Sequence, residues 1–209
     1  MNAPDRFPPT FPSRRREPTQ AAEGLPRFRW TTAELLAAVH AGIIDRDERF
    51  ELIGGEMVPM SPKGNRHEIL RNRLTMRLTG LAFQAGVLMV AAEPQFNLTD
   101  DCYTNPDILV HPFSIDTPFV RGEAVSLLIE IADTSLDYDL THKAPLYASH
   151  GVRDYWVINA NTLETKVHRE PLSGTYGSVV PYTRRKRLKP LLAPELQRSE
   201  EHTSELQSQ

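Results

Sequence analysis

The stretch VSLLIEIADTSLDYDLTHKAPLYASHGVRDYWVIN, residues 125–159, decides the fold. Residues 125–132 read as an apolar strand, Asp133-Thr134-Ser135 as a turn rich in helix-starting side chains, 140–150 as a helix and 154–159 as a second buried strand. Pro145 sets the start of regular helix shortly before it, because a proline is tolerated only in the first turn, and Gly151 ends it. Strand, helix and strand in that order require a parallel pair with a right-handed crossover. On strand geometry Leu128, Glu130 and Ala132 share one face, and Leu127, Ile129 and Ile131 the other. Glu130 is therefore a carboxylate inside an apolar strand, where an unpaired charge is costly.

The nearest upstream partner is Asp107 in NPDILV, where Pro106 opens a strand that Ile108, Leu109 and Val110 carry into a core. Carboxylates that meet on neighbouring strands repel unless a proton or a cation lies between them, and an oxygen-preferring cation such as magnesium serves at neutral pH. Lys143, on the following helix, supplies the positive charge a developing phosphate oxyanion requires. These residues support a metal-dependent phosphodiesterase. The competing readings are structural: Asp107 caps a turn, and Lys143 pairs with Asp139 four residues earlier, an ordinary helix contact worth little at a surface.

Outward from this centre, Thr31 and Glu34 form a capping box ahead of AELLAAVHAG. RFEL and EMVPM flank Gly54-Gly55 as a hairpin over 50–60, whose Glu51 and Glu56 read as solvent-facing carboxylates, with a reach toward a metal as the alternative. Leu70, Leu74, Leu78 and Leu81 recur at helical spacing over 66–84, while Arg66, Arg71, Arg73 and Arg77 read as a solvated face. His67 in the first turn is equally a capping or packing histidine and a site candidate; no second histidine follows at zinc-protease spacing. Further strands are expected at 87–93 and 106–111 and over LETKVHRE and GTYGSVVPY. The fold class is α/β: a mixed sheet with a helix on either side, extended by the hairpin and the C-terminal strands. Tyr155 and Trp156 read as core or dimer contacts, and Arg184-Arg185-Lys186-Arg187 with Lys189 as an edge-strand guard or a phosphate-tracking patch.

The 209 residues suit one domain, and 40 % hydrophobic with 24 % charged content is that of a soluble protein. A net charge of −3 provides no global pull toward nucleic acid, so a polyanion would be met by a local patch. Cys102 is the only cysteine, so an internal disulfide is impossible, and a CxxC or four-ligand zinc site is not expected. No run of sequence suits a membrane span or a secretory leader, so a cytoplasmic address is expected. Residues 1–27, rich in proline and carrying Arg14-Arg15-Arg16, read as a disordered tail ahead of a domain over 28–197. RSEEHTSELQS, from Arg198, resembles translated sequencing adapter, so 198–209 is expected to be non-native and the native C-terminus to be missing.

The order Pro106-Asp107, Glu130, Asp139, Lys143 and then YASHGVRDYWVIN resembles the PD-(D/E)XK, restriction-endonuclease-like nuclease superfamily. More narrowly it resembles the Uma-type family of restriction endonucleases, over about Phe28 to Leu196, with RFELIGGEMVPMSP and His67 fitting that family's opening. The resemblance implies a restriction-endonuclease-like fold with an added N-terminal helix and hairpin, and an endonuclease that cuts nucleic acid, DNA foremost. It implies Mg2+ or Mn2+ held by Asp107 and Glu130, and His67 contacting a substrate phosphate or orienting the attacking water. The superfamily's third strand ends acid, any residue, lysine; here it reads Glu130, Ile131, Ala132, and the resemblance implies that the lysine has moved to Lys143. Two alternatives stay open: a catalytically silent module that binds nucleic acid or a protein, and a structural homodimer in which Asp107, Glu130 and Lys143 form an internal ion network.

Overall fold

A computed structural model describes residues 28–186 and 188–196. The tails expected at 1–27 and 198–209, and Arg187 of the basic cluster, lie outside the described residues. In chain order the elements are α1 (Thr32–His40), β1 (Phe50–Ile53), β2 (Glu56–Pro59), α2 (Asn65–Ala85), β3 (Leu88–Ala92), β4 (Phe96–Thr99), β5 (Cys102–Thr104) and β6 (Ile108–Pro112). They continue as β7 (Leu127–Ala132), α3 (Leu136–Tyr138), a π-helical segment Asp139–Lys143, α4 (Ala144–Ser149), β8 (Asp154–Asn159), β9 (Thr165–Leu172) and β10 (Thr175–Tyr182).

The main sheet has six strands in the order β10-β9-β8-β7-β6-β3. β7 and β8 are parallel, as a strand-helix-strand unit requires, and the other neighbours are antiparallel. All six residues of β7 are buried, because helices cover both faces of the sheet. Leu127, Ile129 and Ile131 cluster with Ile108, Val110 and with Leu78 and Ala82 of α2. Leu128 and Ala132 cluster on the other face with Leu109, Tyr155 and Val157 and with Ala144 and Tyr147 of α4. The period of two thus sends alternate side chains to opposite helices. Trp156 joins the first cluster and Tyr155 the second, so both are core residues.

Regular α-helix begins at Ala144, with Pro145 in its first turn, as the proline predicts. The backbone is nonetheless helical from Leu136, because the preceding turn is π: the Ala144 N–H reaches back five residues to the Asp139 carbonyl. The expected start at 140 was therefore late. π-turns within helices are uncommon and often mark functional sites. At the N-terminus the capping box forms as expected, with the Glu34 N–H donating to the Thr31 hydroxyl at 3.2 Å and the Thr31 N–H to the Glu34 carboxylate at 2.8 Å.

The hairpin does form: Gly54 and Gly55 take φ of 57° and 78°, the left-handed pair that a two-residue turn between twisted strands requires. It does not extend the main sheet, however. β1 pairs with β5, and the order β2-β1-β5-β4 makes a separate four-stranded sheet. β9 and β10 do extend the main sheet, and Arg184, Arg185 and Lys186 stand exposed just past the end of the edge strand β10. Among the described residues no helix is long and apolar enough to cross a membrane.

Candidate active site

Three carboxylates line up across neighbouring strands. Ala92 of β3 pairs with Ile108 of β6, and Ile108 with Ile129 of β7, so one step further along the register sets Glu93, Asp107 and Glu130 side by side. The Glu93 N–H donates to the Asp107 carbonyl at 3.1 Å, and Glu93 takes a left-handed φ of 48°, which a glutamate adopts only at some cost. Asp107 and Glu130 are both 3 % exposed. They face a cleft of about 310 Å³ whose lining includes Lys63, His67, Asp139 and Lys143.

Asp107 is held by donors on every side. Its Oδ2 accepts the Ile131 backbone N–H at 2.7 Å. His67 Nε2 lies 3.0 Å from Oδ2 and 2.9 Å from Oδ1, and the Lys63 ammonium donates to Oδ1 at 2.6 Å. Burial raises the Asp107 carboxyl, but the His67 hydrogen bond and the Lys63 charge outweigh it and leave the group below the usual aspartate range. Lys63 also pairs with Glu93, which Arg71 and Arg49 hold as well, Arg49 at 2.8 Å. Partial burial raises Glu93, yet this cationic shell brings it down to about 2.

Glu130 sits in the opposite electrostatic setting. Its Oε1 accepts from the Lys143 ammonium and from the Tyr147 hydroxyl, each at 2.9 Å. Burial dominates: despite Lys143, and with Asp139, Asp107 and Glu51 adding repulsion, the carboxyl rises to about 8. Lys143 is buried among three acids, 2.9 Å from Glu51, 2.9 Å from Glu130 and 3.9 Å from Asp139. Burial works against its charge, but those neighbours hold the ammonium above the ordinary lysine range. Asp139 is also raised by burial, to about 6, while accepting the Ser135 hydroxyl at 2.7 Å. Three carboxylates around one ammonium leave the pocket short of positive charge, and an added cation relieves that shortage.

All four residues singled out in the sequence, His67, Asp107, Glu130 and Lys143, therefore meet in one cleft. The helix pair expected of Asp139 and Lys143 is the longest of the three ion pairs Lys143 makes, because the π-turn and the neighbouring strands bring Glu130 and Glu51 closer. Glu51 is not solvent-facing: it is 2 % exposed, faces Lys143 across the cleft and also accepts the Asn105 N–H at 2.9 Å. Arg71 is likewise not part of a solvated face; it reaches Glu93 and Glu68. Lys63 and Glu93 went unread in the sequence. The register of β3 against β6 brings in Glu93, and the connection between β2 and α2 brings in Lys63; no local pattern signals either.

Among the described residues no three or more His, Cys, Asp or Glu side chains are grouped to hold a metal ion. A cation here would rest on the Asp107 and Glu130 carboxylates with backbone or water oxygens. That oxygen donor set fits a hard divalent ion.

The six-stranded sheet between two helices, with its acids on adjacent central strands, defines a restriction-endonuclease-like nuclease fold. The crystal structure of a protein described as a putative nuclease belonging to DUF820, from Anabaena variabilis, superposes with a TM-score of 0.65 at 19 % identity, over 81 % of this chain and 94 % of that one. The chain belongs to the Uma2 family, described as putative restriction endonuclease, whose pattern matches residues 33–201. The type IIG restriction endonuclease BpuSI aligns at a TM-score of 0.37 and 11 % identity, over 56 % of this chain and 14 % of that one. No curated protein matches the sequence.

Proposed function

We propose that this chain is a divalent-metal-dependent endonuclease that hydrolyses phosphodiester bonds in nucleic acid, with DNA as the substrate. The observation that carries this reading is the adjacency of Asp107 and Glu130 on paired strands within one cleft, with the Lys143 ammonium 2.9 Å from Glu130. Asp107 and Glu130, with the Ile131 backbone carbonyl, would hold Mg2+ or Mn2+. Bound there, the cation lowers the pKa of water and offsets charge on the scissile phosphate. Lys143 fixes the Glu130 carboxylate and keeps a permanent positive charge in the cleft where phosphate charge develops. His67 orients Asp107 from the first turn of α2 and presents an imidazole to the same cleft. Tyr147, bonded to both Glu130 and Thr104, locks the second acid from behind.

A second reading, a nuclease-like module that binds without cutting, is favoured by Ala132. Where the superfamily carries its strand lysine, this side chain is 1 % exposed and packed in the apolar cluster beneath α4. The two readings part on cleavage. Purified protein is incubated with mixed DNA and RNA substrates in Mg2+ and in Mn2+, beside Glu130→Gln and Lys143→Ala. Cutting by the wild type that both variants lose supports the nuclease; no cutting of any substrate despite metal binding supports the silent module.

A further inference from the structure

We propose that Lys63 is a resident competitor for the divalent cation at Asp107, displaced when metal loads and kept in the site by Glu93. The inference rests on the metal reading of Asp107 above. Of the three donors on Asp107, two are fixed: the Ile131 N–H belongs to β7, and His67 to the first turn of α2. The third is a full ammonium on a long flexible stem, carried by the connection 60–64 between β2 and α2.

Oδ2 of Asp107 accepts the Ile131 N–H and bonds His67, so Oδ1 offers the lone pairs an ion would use, and Lys63 occupies that oxygen at 2.6 Å. A divalent ion needs those lone pairs, and the lysine is the partner able to withdraw. Displacement does not strand the ammonium, because Lys63 already donates to Glu93 on the neighbouring strand. Lys63 exchanges two carboxylates for one rather than for none, and Arg49 and Arg71 hold Glu93 in place to receive it. Before metal arrives, the lysine charge neutralises Asp107 much as the ion would, which keeps this buried acid paired in both states.

The test is Mn2+ calorimetry on the full chain, comparing wild type with Lys63→Met, Lys63→Arg, Glu93→Gln and Asp107→Asn, each checked for a native thermal melt. Lys63→Met is expected to tighten Mn2+ binding on the order of tenfold by removing one competing charge. Lys63→Arg keeps the charge and stays near wild type. Glu93→Gln weakens binding, because the displaced lysine then has no carboxylate to receive it. A merely structural lysine predicts no tightening in Lys63→Met, and that result overturns the proposal; should that variant fail to fold, Lys63→Gln is read in its place. If Asp107→Asn abolishes binding while Lys63→Met leaves it unchanged, the competitor role fails and the metal reading stands. If Asp107→Asn binds Mn2+ like wild type, the metal reading fails and takes the proposal with it.

Discussion

Asp107 Oδ2 accepts the backbone N–H of Ile131 at 2.7 Å, so the first acid of the cleft is fastened to the residue that follows the second. The spacing of the two carboxylates is thereby set by the sheet rather than by flexible side chains. Asp107→Ala leaves the buried Ile131 N–H and His67 without their acceptor, and Lys63 with Glu93 alone, and is expected to cost about 3 kcal/mol. Asp107→Asn keeps an acceptor for Ile131 and should cost clearly less, as denaturant unfolding of the two variants will show.

The acids around Lys143 predict an asymmetry. Lys143→Met leaves Glu51, Glu130 and Asp139 buried without their shared cation and should destabilise the protein by about 3–5 kcal/mol. Glu51→Gln removes one of three negative charges and keeps an acceptor for the Asn105 N–H, so its cost should stay below about 1 kcal/mol. Urea unfolding at neutral pH measures both.

Tyr147 is fully buried, with its hydroxyl between Glu130 and Thr104. Tyr147→Phe preserves the ring packing and removes only that hydroxyl, for an expected loss of about 1–2 kcal/mol. In the nuclease reading it also lowers kcat, because Glu130 loses one of its two fixed donors. Unfolding and turnover measured on the same preparation separate the two effects.

Glu93 predicts an acid limb of stability. Its carboxyl lies at about 2 in the folded chain against an ordinary 4.5, so the folded state favours the ionised form. The stability it contributes is complete above about pH 4.5 and is lost as pH falls toward about 2. Thermal melts from pH 6 to 2 should therefore fall less steeply for Glu93→Gln than for wild type, from a lower starting Tm.

Much of this arrangement was legible in the chain because local rules governed it. The near-continuous apolar run from Leu127 to Ala132 announced a buried strand, and Glu130 stood out as the one charge within it. Pro145 marked the start of regular helix, and Gly54-Gly55 marked the hairpin turn. Glu51, Lys63 and Glu93 were not legible, since each enters the site through pairing between distant segments. β1 reads as a half-exposed hairpin strand until Glu51 is set against Lys143 in the cleft, and Glu93 reads as the polar end of β3 until the register with β6 sets it beside Asp107. Lys143 was legible as the positive charge on the helix after β7, while its burial lies in a π-turn that has no sequence signature.

The most direct test of the central claim is a Mn2+ titration of wild type beside Asp107→Asn and Glu130→Gln, followed by calorimetry with cleavage of DNA in the same buffer. The account predicts that wild type binds Mn2+ and cuts, and that each substitution, though folded, loses both. Binding of Mn2+ by both folded variants with wild-type affinity would contradict it, and would mark the paired acids as an internal ion network.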